Sequence, residues 1–140
     1  MEKLAIGTAQ FGMCYGIANQ NGQVKENEIK DILDLAWENG LNTLDTAKAY
    51  GNSEGSIGSY LKKHSENSWA IITKVSDGKN SLYEQFQDSI ENLSVPPNAL
   101  LAHSAELFID GAFQKQLKKN EDQKPSGANS RRANSVSLRN

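Results

Sequence analysis

The sequence predicts an α/β fold in which the strands of a parallel sheet alternate with helices. Three polar residues with catalytic potential, Asp45, Lys74 and His103, lie 29 residues apart, each shortly after a short apolar run. An interval of this length fits one strand followed by one helix. Because neighbouring parallel strands lie about 5 Å apart, we expect the three side chains to emerge together at the carboxyl ends of their strands.

The composition limits the class of protein. The chain has 140 residues, the length of one domain, and a net charge of −2, so no overall field favours nucleic acid or a membrane surface. Cys14 is the only cysteine, which excludes an internal disulfide and a multi-cysteine metal site. No segment approaches the ~20 apolar residues of a membrane span. We therefore expect a soluble, cytoplasmic protein that binds no metal, nucleic acid or membrane.

The first strand and the first helix are predicted from apolar runs and turn residues. Leu4 to Gly7 is typical of a short buried strand, and a long loop rich in Gly and Asn follows it through Gly22. A helix comes next, because apolar residues recur at helical spacing and Gly40 is placed to end it. The recurring apolar residues are Ile29, Ile32, Leu33 and Ala36.

The second strand and helix follow at once. Leu41 to Leu44 is predicted as a strand, and Ser53 is predicted to cap the next helix. Gly55 and Gly58 within this helix lower its propensity by about 1 kcal/mol each relative to Ala. We expect close packing against a neighbouring element to compensate for them.

The third and fourth strands are predicted on either side of a capped helix. Trp69 to Val75 alternates too little for a half-exposed strand and is predicted to be buried on both faces. Ser81 and Glu84 form a capping box for a helix that ends before two prolines, and Ala99 to Ala102 is the fourth strand. The apolar face of this helix is predicted to contain Leu82, Phe86, Ile90 and Leu93.

The end of the chain has a different composition. The stretch from Leu107 to Leu117 is predicted to start another helix. From Lys118 to Asn140 the only large apolar residues are Val136 and Leu138, so no core can form there and we expect a disordered tail. The arginines of this tail have no aromatic neighbours for stacking on bases, which disfavours a nucleic-acid contact.

Separated motifs in the chain carry a family resemblance. Asp-Thr-Ala, Tyr-Gly and Ser-Glu occur in order within Leu44 to Glu54, and Thr-Lys follows within Ile72 to Val75. With Leu100 to Ser104 and the opening Gly7 to Gly12, they resemble the aldo-keto reductase superfamily. Together with Tyr15 to Asn19, the opening segment is similar to bacterial members encoded among surface-polysaccharide genes. The resemblance extends from position 4 to about position 117.

The resemblance implies a parallel β/α (TIM-type) barrel that transfers hydride from NADPH or NADH to an aldehyde or ketone. Its catalytic residues would be Asp45, Tyr50, Lys74 and His103. Tyr50 would protonate the carbonyl oxygen, and the nearby Lys74 ammonium would make this phenol a stronger acid. Asp45 would hold Lys74 in place, while His103 would orient the carbonyl. Taken singly, these residues also fit a structural ion pair, loop packing and a histidine at a strand end.

The resemblance also implies that much of a barrel is missing. A full barrel needs eight strand–helix units and about 250 residues, whereas four strands are predicted here. We therefore expect a barrel truncated to about its first four units, over residues 1–119, and a polar tail over residues 120–140. Gly7 and Thr8, with Asp45 and His103, would line only the nicotinamide side of the cofactor. Affinity for NADPH or NADH should be severely reduced.

Three interpretations remain open at this point. The chain is a reductase whose missing half is supplied in trans, an inactive fragment whose frame shifts near Asn120, or an interaction module made by pairing half-barrels. The expected partners are a small carbonyl substrate and a second copy of the chain, since exposed strand edges favour association or aggregation. The genomic sequence downstream would separate these interpretations.

Overall fold

The computed structural model describes residues 4–76, 80–109, 111 and 114–115. Within them, four strands and five helices follow one another along the chain. The elements are β1 (Ile6–Gly7), α1 (Ala9–Gly12), α2 (Glu26–Glu38), β2 (Thr43–Asp45), α3 (Ser53–Lys63), β3 (Ala70–Val75), α4 (Leu82–Leu93), β4 (Ala99–Ala102) and α5 (Ala105–Ile109). The predicted tail and the predicted domain boundary at position 119 lie outside the described residues.

The four strands form one parallel sheet in the order β1-β2-β3-β4. Each unit therefore adds its strand beside the preceding one, as in half of an eight-stranded β/α barrel. This confirms the predicted α/β class, the parallel sheet and the number of strands. None of the helices in the described segments is long and apolar enough to cross a membrane.

The two faces of the sheet differ in burial. The outer face, which lies against the helices, is lined by Ile6, Leu44, Ile71, Thr73 and Val75, and all of these except Ile6 are buried. The inner face contains the alternate residues of the same strands, which are half-buried or exposed. Those that matter below are Gly7, Asp45, Ile72, Lys74, Ala99 and Leu101.

The prediction that β3 is buried on both faces is wrong. Its residues alternate between buried and half-buried from Ala70 to Val75. The helices cover only the outer face, and among the described residues no element covers the inner one. The apolar inner residue Ile72 therefore remains partly accessible.

Several helix signals are confirmed by the structure. Gly40 follows α2 with a φ of +75°, and its N–H donates to the carbonyl of Trp37 at 3.0 Å. The N–H of Glu84 donates to Ser81 Oγ at 3.2 Å, while the Glu84 carboxylate accepts from the N–H of Ser81 at 2.8 Å. Gly58 packs closely against α4, because a Cβ placed there would lie 2.0 Å from the carbonyl oxygen of Asn92.

Four local predictions are corrected. The loop after β1 contains the short helix α1, and the second strand is Thr43–Asp45 rather than Leu41 to Leu44. Ser53 is the first residue of α3 and not its cap, because its hydroxyl bonds to Thr8 instead. The most buried residues of α4 are Leu82, Gln85, Ser89 and Leu93, so Phe86 and Ile90 lie beside the buried face and are half-buried.

Candidate active site

The sheet brings the three residues of the 29-residue spacing to one edge. Asp45 is the last residue of β2, Lys74 is next to last in β3, and His103 directly follows β4. The His103 N–H donates to the carbonyl of Val75 at 2.8 Å, which continues the pairing of β3 with β4. The convergence predicted from the sequence is therefore what the strand register produces.

Asp45 and Lys74 form an ion pair on the inner face. Lys74 Nζ donates to Asp45 Oδ1 and also to the carbonyl oxygen of Thr46 at 3.1 Å. The exposed fraction is 16% for the Lys74 side chain and 36% for the Asp45 side chain. Solvent screens such a partly buried pair less than a pair on the surface. The pair fixes a positive charge at the carboxyl end of β3.

Tyr50 lies beside this charge, in the loop between β2 and α3. Lys74 Nζ is 5.3 Å from the centroid of the Tyr50 ring, a distance at which a cation is attracted to the ring face. The His103 ring lies edge-on to the same tyrosine, with 6.0 Å between centroids and 77° between ring planes. The structure thus places Asp45, Tyr50, Lys74 and His103 in one cluster.

Two glycines set the position of the Tyr50 loop against α1. Gly51 has a φ of +56°, and a Cβ there would lie 2.3 Å from the carbonyl oxygen of Gly12. A Cβ on Gly12 would lie 1.8 Å from the carbonyl oxygen of Tyr50. The close backbone approach therefore needs glycine on both sides. The Tyr-Gly pair was a visible signal for Gly51, whereas nothing in the sequence pairs it with Gly12.

The predicted cofactor residues differ in their surroundings. Gly7 is exposed, with open space where a Cβ would be, and it pairs in register with Asp45. Thr8 is completely buried, and its hydroxyl donates to the carbonyl oxygen of Asp45 at 3.0 Å. Gly7 and His103 are exposed and Asp45 is half-buried, each at the carboxyl end of its strand. The contacts of all four predicted residues with a cofactor stay predictions.

A buried carboxylate supports β3 from the outer face. Glu54 is 2% exposed and accepts hydrogen bonds from Thr73 Oγ1 at 2.7 Å and Asn92 Nδ2 at 3.4 Å. These contacts join α3 and α4 to the residue that precedes Lys74. The Ser-Glu pair marked Glu54 in the sequence, but its role was not predicted, because its partners lie 19 and 38 residues away.

Within the described part of the chain, no group of three His, Cys, Asp or Glu side chains is placed to hold a metal ion. The cluster on the inner face offers an acid, a fixed cation and an imidazole, which together suit proton transfer to an oxygen that gains charge.

Comparison with known proteins agrees with the fold. The model of the aldo/keto reductase family matches residues 3–107. Two solved structures from Pseudomonas aeruginosa, each described as an aldo-keto reductase, are 26% identical to the chain and cover 86% of it, with TM-scores of 0.69 and 0.67. The chain covers 51% and 50% of those two structures, about half their length. No curated protein matches the chain. The chain belongs to the aldo/keto reductase family.

Proposed function

We propose that the chain carries the proton-donating part of a carbonyl reductase, in which hydride from NADPH or NADH reduces an aldehyde or ketone. The observation that carries this proposal is the Lys74 ammonium, paired with Asp45 and 5.3 Å from the centroid of the Tyr50 ring. Membership of the family supports an oxidoreductase.

The reaction needs a proton donor. When bound, the nicotinamide cofactor supplies hydride to the carbonyl carbon. Negative charge then develops on the carbonyl oxygen, and the Tyr50 hydroxyl donates a proton to it. Tyr50 is half-buried in the loop that follows β2. In this proposal its hydroxyl meets the substrate from the inner face.

Lys74 and His103 contribute to the proton transfer in different ways. The Lys74 ammonium lies 5.3 Å from the centroid of the Tyr50 ring and provides positive charge where the proton transfer leaves negative charge. Asp45 and the carbonyl of Thr46 hold the ammonium in one place, which avoids reorganisation during the step. His103 is exposed beside Tyr50 and is placed to donate a hydrogen bond that orients the carbonyl.

The cofactor part of the proposal rests on Gly7, Asp45 and His103, which are exposed or half-buried at the carboxyl ends of their strands. The chain spans about half the length of the two solved relatives. We therefore propose that the rest of the cofactor binds to a polypeptide that supplies the other half of the barrel. We expect the chain alone to turn over more slowly than about 1 per second, the lower end of typical enzyme rates. A polypeptide carrying strands five to eight of a related barrel would raise the rate.

The test measures loss of the reduced nicotinamide with a panel of aldehydes and ketones, for the chain alone and with such a complementing polypeptide. Tyr50→Phe should abolish the turnover. Tyr83→Phe, which removes a hydroxyl from an exposed tyrosine on α4, should leave it unchanged. Equal turnover in the parent and Tyr50→Phe would contradict the proposal, and so would the absence of turnover under both conditions.

A second function, an interaction module formed by paired half-barrels, is favoured by one observation. Among the described residues, β1 and β4 each pair with a strand on one side only. Unpaired strand edges are templates for association with another chain. Association without any turnover in the complemented assay would favour this module over the reductase.

A further inference from the structure

Three buried hydroxyl groups lie directly beneath the proposed site. Thr8, Thr46 and Ser53 have no exposed surface, and they come from the ends of β1 and β2 and from the first turn of α3. Ser53 Oγ lies 3.1 Å from Thr46 Oγ1, 3.0 Å from Thr8 Oγ1 and 2.9 Å from the carbonyl oxygen of Thr8. Thr8 Oγ1 in turn donates to the carbonyl oxygen of Asp45 at 3.0 Å.

The number of available protons determines which hydroxyl group is the donor in each hydrogen bond of this cluster. Each hydroxyl has one proton to donate. Ser53 uses its proton toward Thr8, and Thr8 uses its own toward the carbonyl of Asp45. The contact between Thr46 and Ser53 must therefore take its proton from Thr46. The hydrogen bonds run from Thr46 to Ser53, to Thr8, and back to Asp45.

This series of hydrogen bonds starts at the Thr46 hydroxyl and ends at the carbonyl oxygen of Asp45, the adjacent residue. Asp45 and Thr46 also provide both acceptors of the Lys74 ammonium, a carboxylate oxygen and a carbonyl oxygen. The hydrogen bonds of the three hydroxyl groups therefore hold the Asp45–Thr46 peptide in place, and Lys74 binds the same two residues on the inner face. Ser53 also bonds to the Tyr50 loop, because its N–H donates to the carbonyl oxygen of Tyr50 at 3.0 Å.

We propose that Thr46 and Ser53 are positioning residues, whose hydroxyl chain through Thr8 holds the Asp45–Lys74 pair and the Tyr50 loop in the geometry needed for proton transfer. The catalytic meaning of this role rests on the proposed function, whereas the positioning itself does not. An apolar side chain of equal size would fill the same space without fixing the peptide.

Lysine reactivity measures the positioning without any need for turnover. The full chain is acetylated with a succinimidyl acetate under native conditions, and the rates at Lys74 and Lys48 are compared by mass spectrometry. Lys48 is a suitable internal reference, because it lies in the Tyr50 loop, is partly buried and forms its own ion pair with Asp88 at 3.1 Å. General opening of the loop raises both rates, whereas loss of the positioning raises the rate at Lys74 more than the rate at Lys48, whose side chain keeps its own partner, Asp88, on α4.

The matched variants are Thr46→Val, which keeps the shape and removes the hydroxyl, and Thr46→Ser, which keeps the hydroxyl. We expect Thr46→Val to raise the ratio of Lys74 to Lys48 acetylation about fivefold, the factor that corresponds to one neutral hydrogen bond. Thr46→Ser should leave the ratio near that of the parent. An unchanged ratio in Thr46→Val overturns the inference, even if that variant unfolds more easily, because the hydroxyl would then be only structural.

If Thr46→Val does not fold, Ser53→Ala breaks the same chain in its middle and is expected to raise the same ratio. Proton NMR of the parent provides a measurement without any variant. A slowly exchanging Thr46 hydroxyl proton close to Ser53 is expected, and its absence overturns the inference. A raised ratio in a chain that reduces no carbonyl would support the positioning and refute the reaction. Carbonyl reduction with an unchanged ratio in the variants would support the reaction and refute the positioning.

Discussion

The outer and inner faces of the same four-stranded sheet have opposite surroundings. Leu44, Ile71 and Val75 on the outer face are at most 1% exposed beneath the helices. On the inner face Lys74 is only half-buried, and Gly7 is exposed. Each strand–helix unit covers its own outer face, whereas the inner face needs strands from elsewhere. The chain therefore builds its core locally and leaves the face that carries the chemistry open.

The two faces should differ most in how much the free energy of unfolding falls when one apolar side chain on each face is shortened. Ile71→Ala on the outer face should lower the free energy of unfolding by about 2–5 kcal/mol, because the side chain is 1% exposed and a cavity remains. Leu101→Ala on the half-buried inner face should lower it by about 1 kcal/mol or less. Urea unfolding followed by tryptophan fluorescence measures both. Equal losses would mean that the inner face is covered in solution.

The outer face also contains a polar contact, which should contribute less to the free energy of unfolding than the Ile71 side chain does. Glu54→Ala leaves the buried Thr73 hydroxyl without its acceptor, at a cost of about 1–3 kcal/mol in unfolding free energy. Glu54→Gln keeps an oxygen for Thr73 and should cost less than Glu54→Ala. The same urea experiment compares them. A loss in Glu54→Gln as large as that in Glu54→Ala would show that the negative charge itself is needed.

Association of two copies of the chain is a second difference that we expect between the inner and outer faces. We expect two copies to cover each other's inner faces through the edges of β1 and β4, so that light scattering after size exclusion gives the mass of two chains. Leu101→Lys places an unpaired charge on the inner face and should weaken association at least about tenfold, which corresponds to ~1.4 kcal/mol. Leu35→Lys on the exposed side of α2 is the matched control.

A monodisperse particle with the mass of one chain and a sharp thermal transition would contradict this prediction. It would also show that the open inner face is stable in water. Aggregation of the parent that Leu101→Lys suppresses would support the inner face as the region of contact, without the closed pairing.

The smallest effect is a pH dependence in the helix layer, far from the inner face. Burial raises the pKa of Tyr60 to about 12, and its hydrogen bond to Asp34 adds to the shift. The unfolded chain releases this proton near pH 10, whereas the folded chain keeps it. The folded state therefore binds more protons between these values, and the stability present below pH 10 is lost as the pH rises toward 12.

Tyr60→Phe removes this contribution, so its stability should fall less steeply over the same pH range than that of the parent. Urea unfolding at a series of pH values tests the difference between the two slopes. The neighbouring Trp69, whose ring centroid lies 6.3 Å from that of Tyr60, provides the fluorescence signal. Parallel slopes would mean that Tyr60 ionises equally in the folded and unfolded chains.

The sequence by itself determined the order of the units and the edge at which the polar residues meet. The spacing of Asp45, Lys74 and His103 reports one strand and one helix per interval, and parallel strands leave no other edge for them. The Ser81 capping box and Gly40 were predictable for the same reason, since each signal lies within a few residues of the structure that it specifies. Tyr50 entered only through the family resemblance, because its loop follows no periodic pattern.

Only the tertiary structure decided which contacts join distant parts of the chain. Ser53 was expected to cap its own helix, but its hydroxyl bonds to Thr8, which lies 45 residues away. The approach of Gly51 to Gly12 is of the same kind. Periodicity tells which residues share a face, whereas a hydroxyl or a glycine can serve several local structures equally well. The packing of strands and helices selects among them, because only then do buried polar groups find their partners.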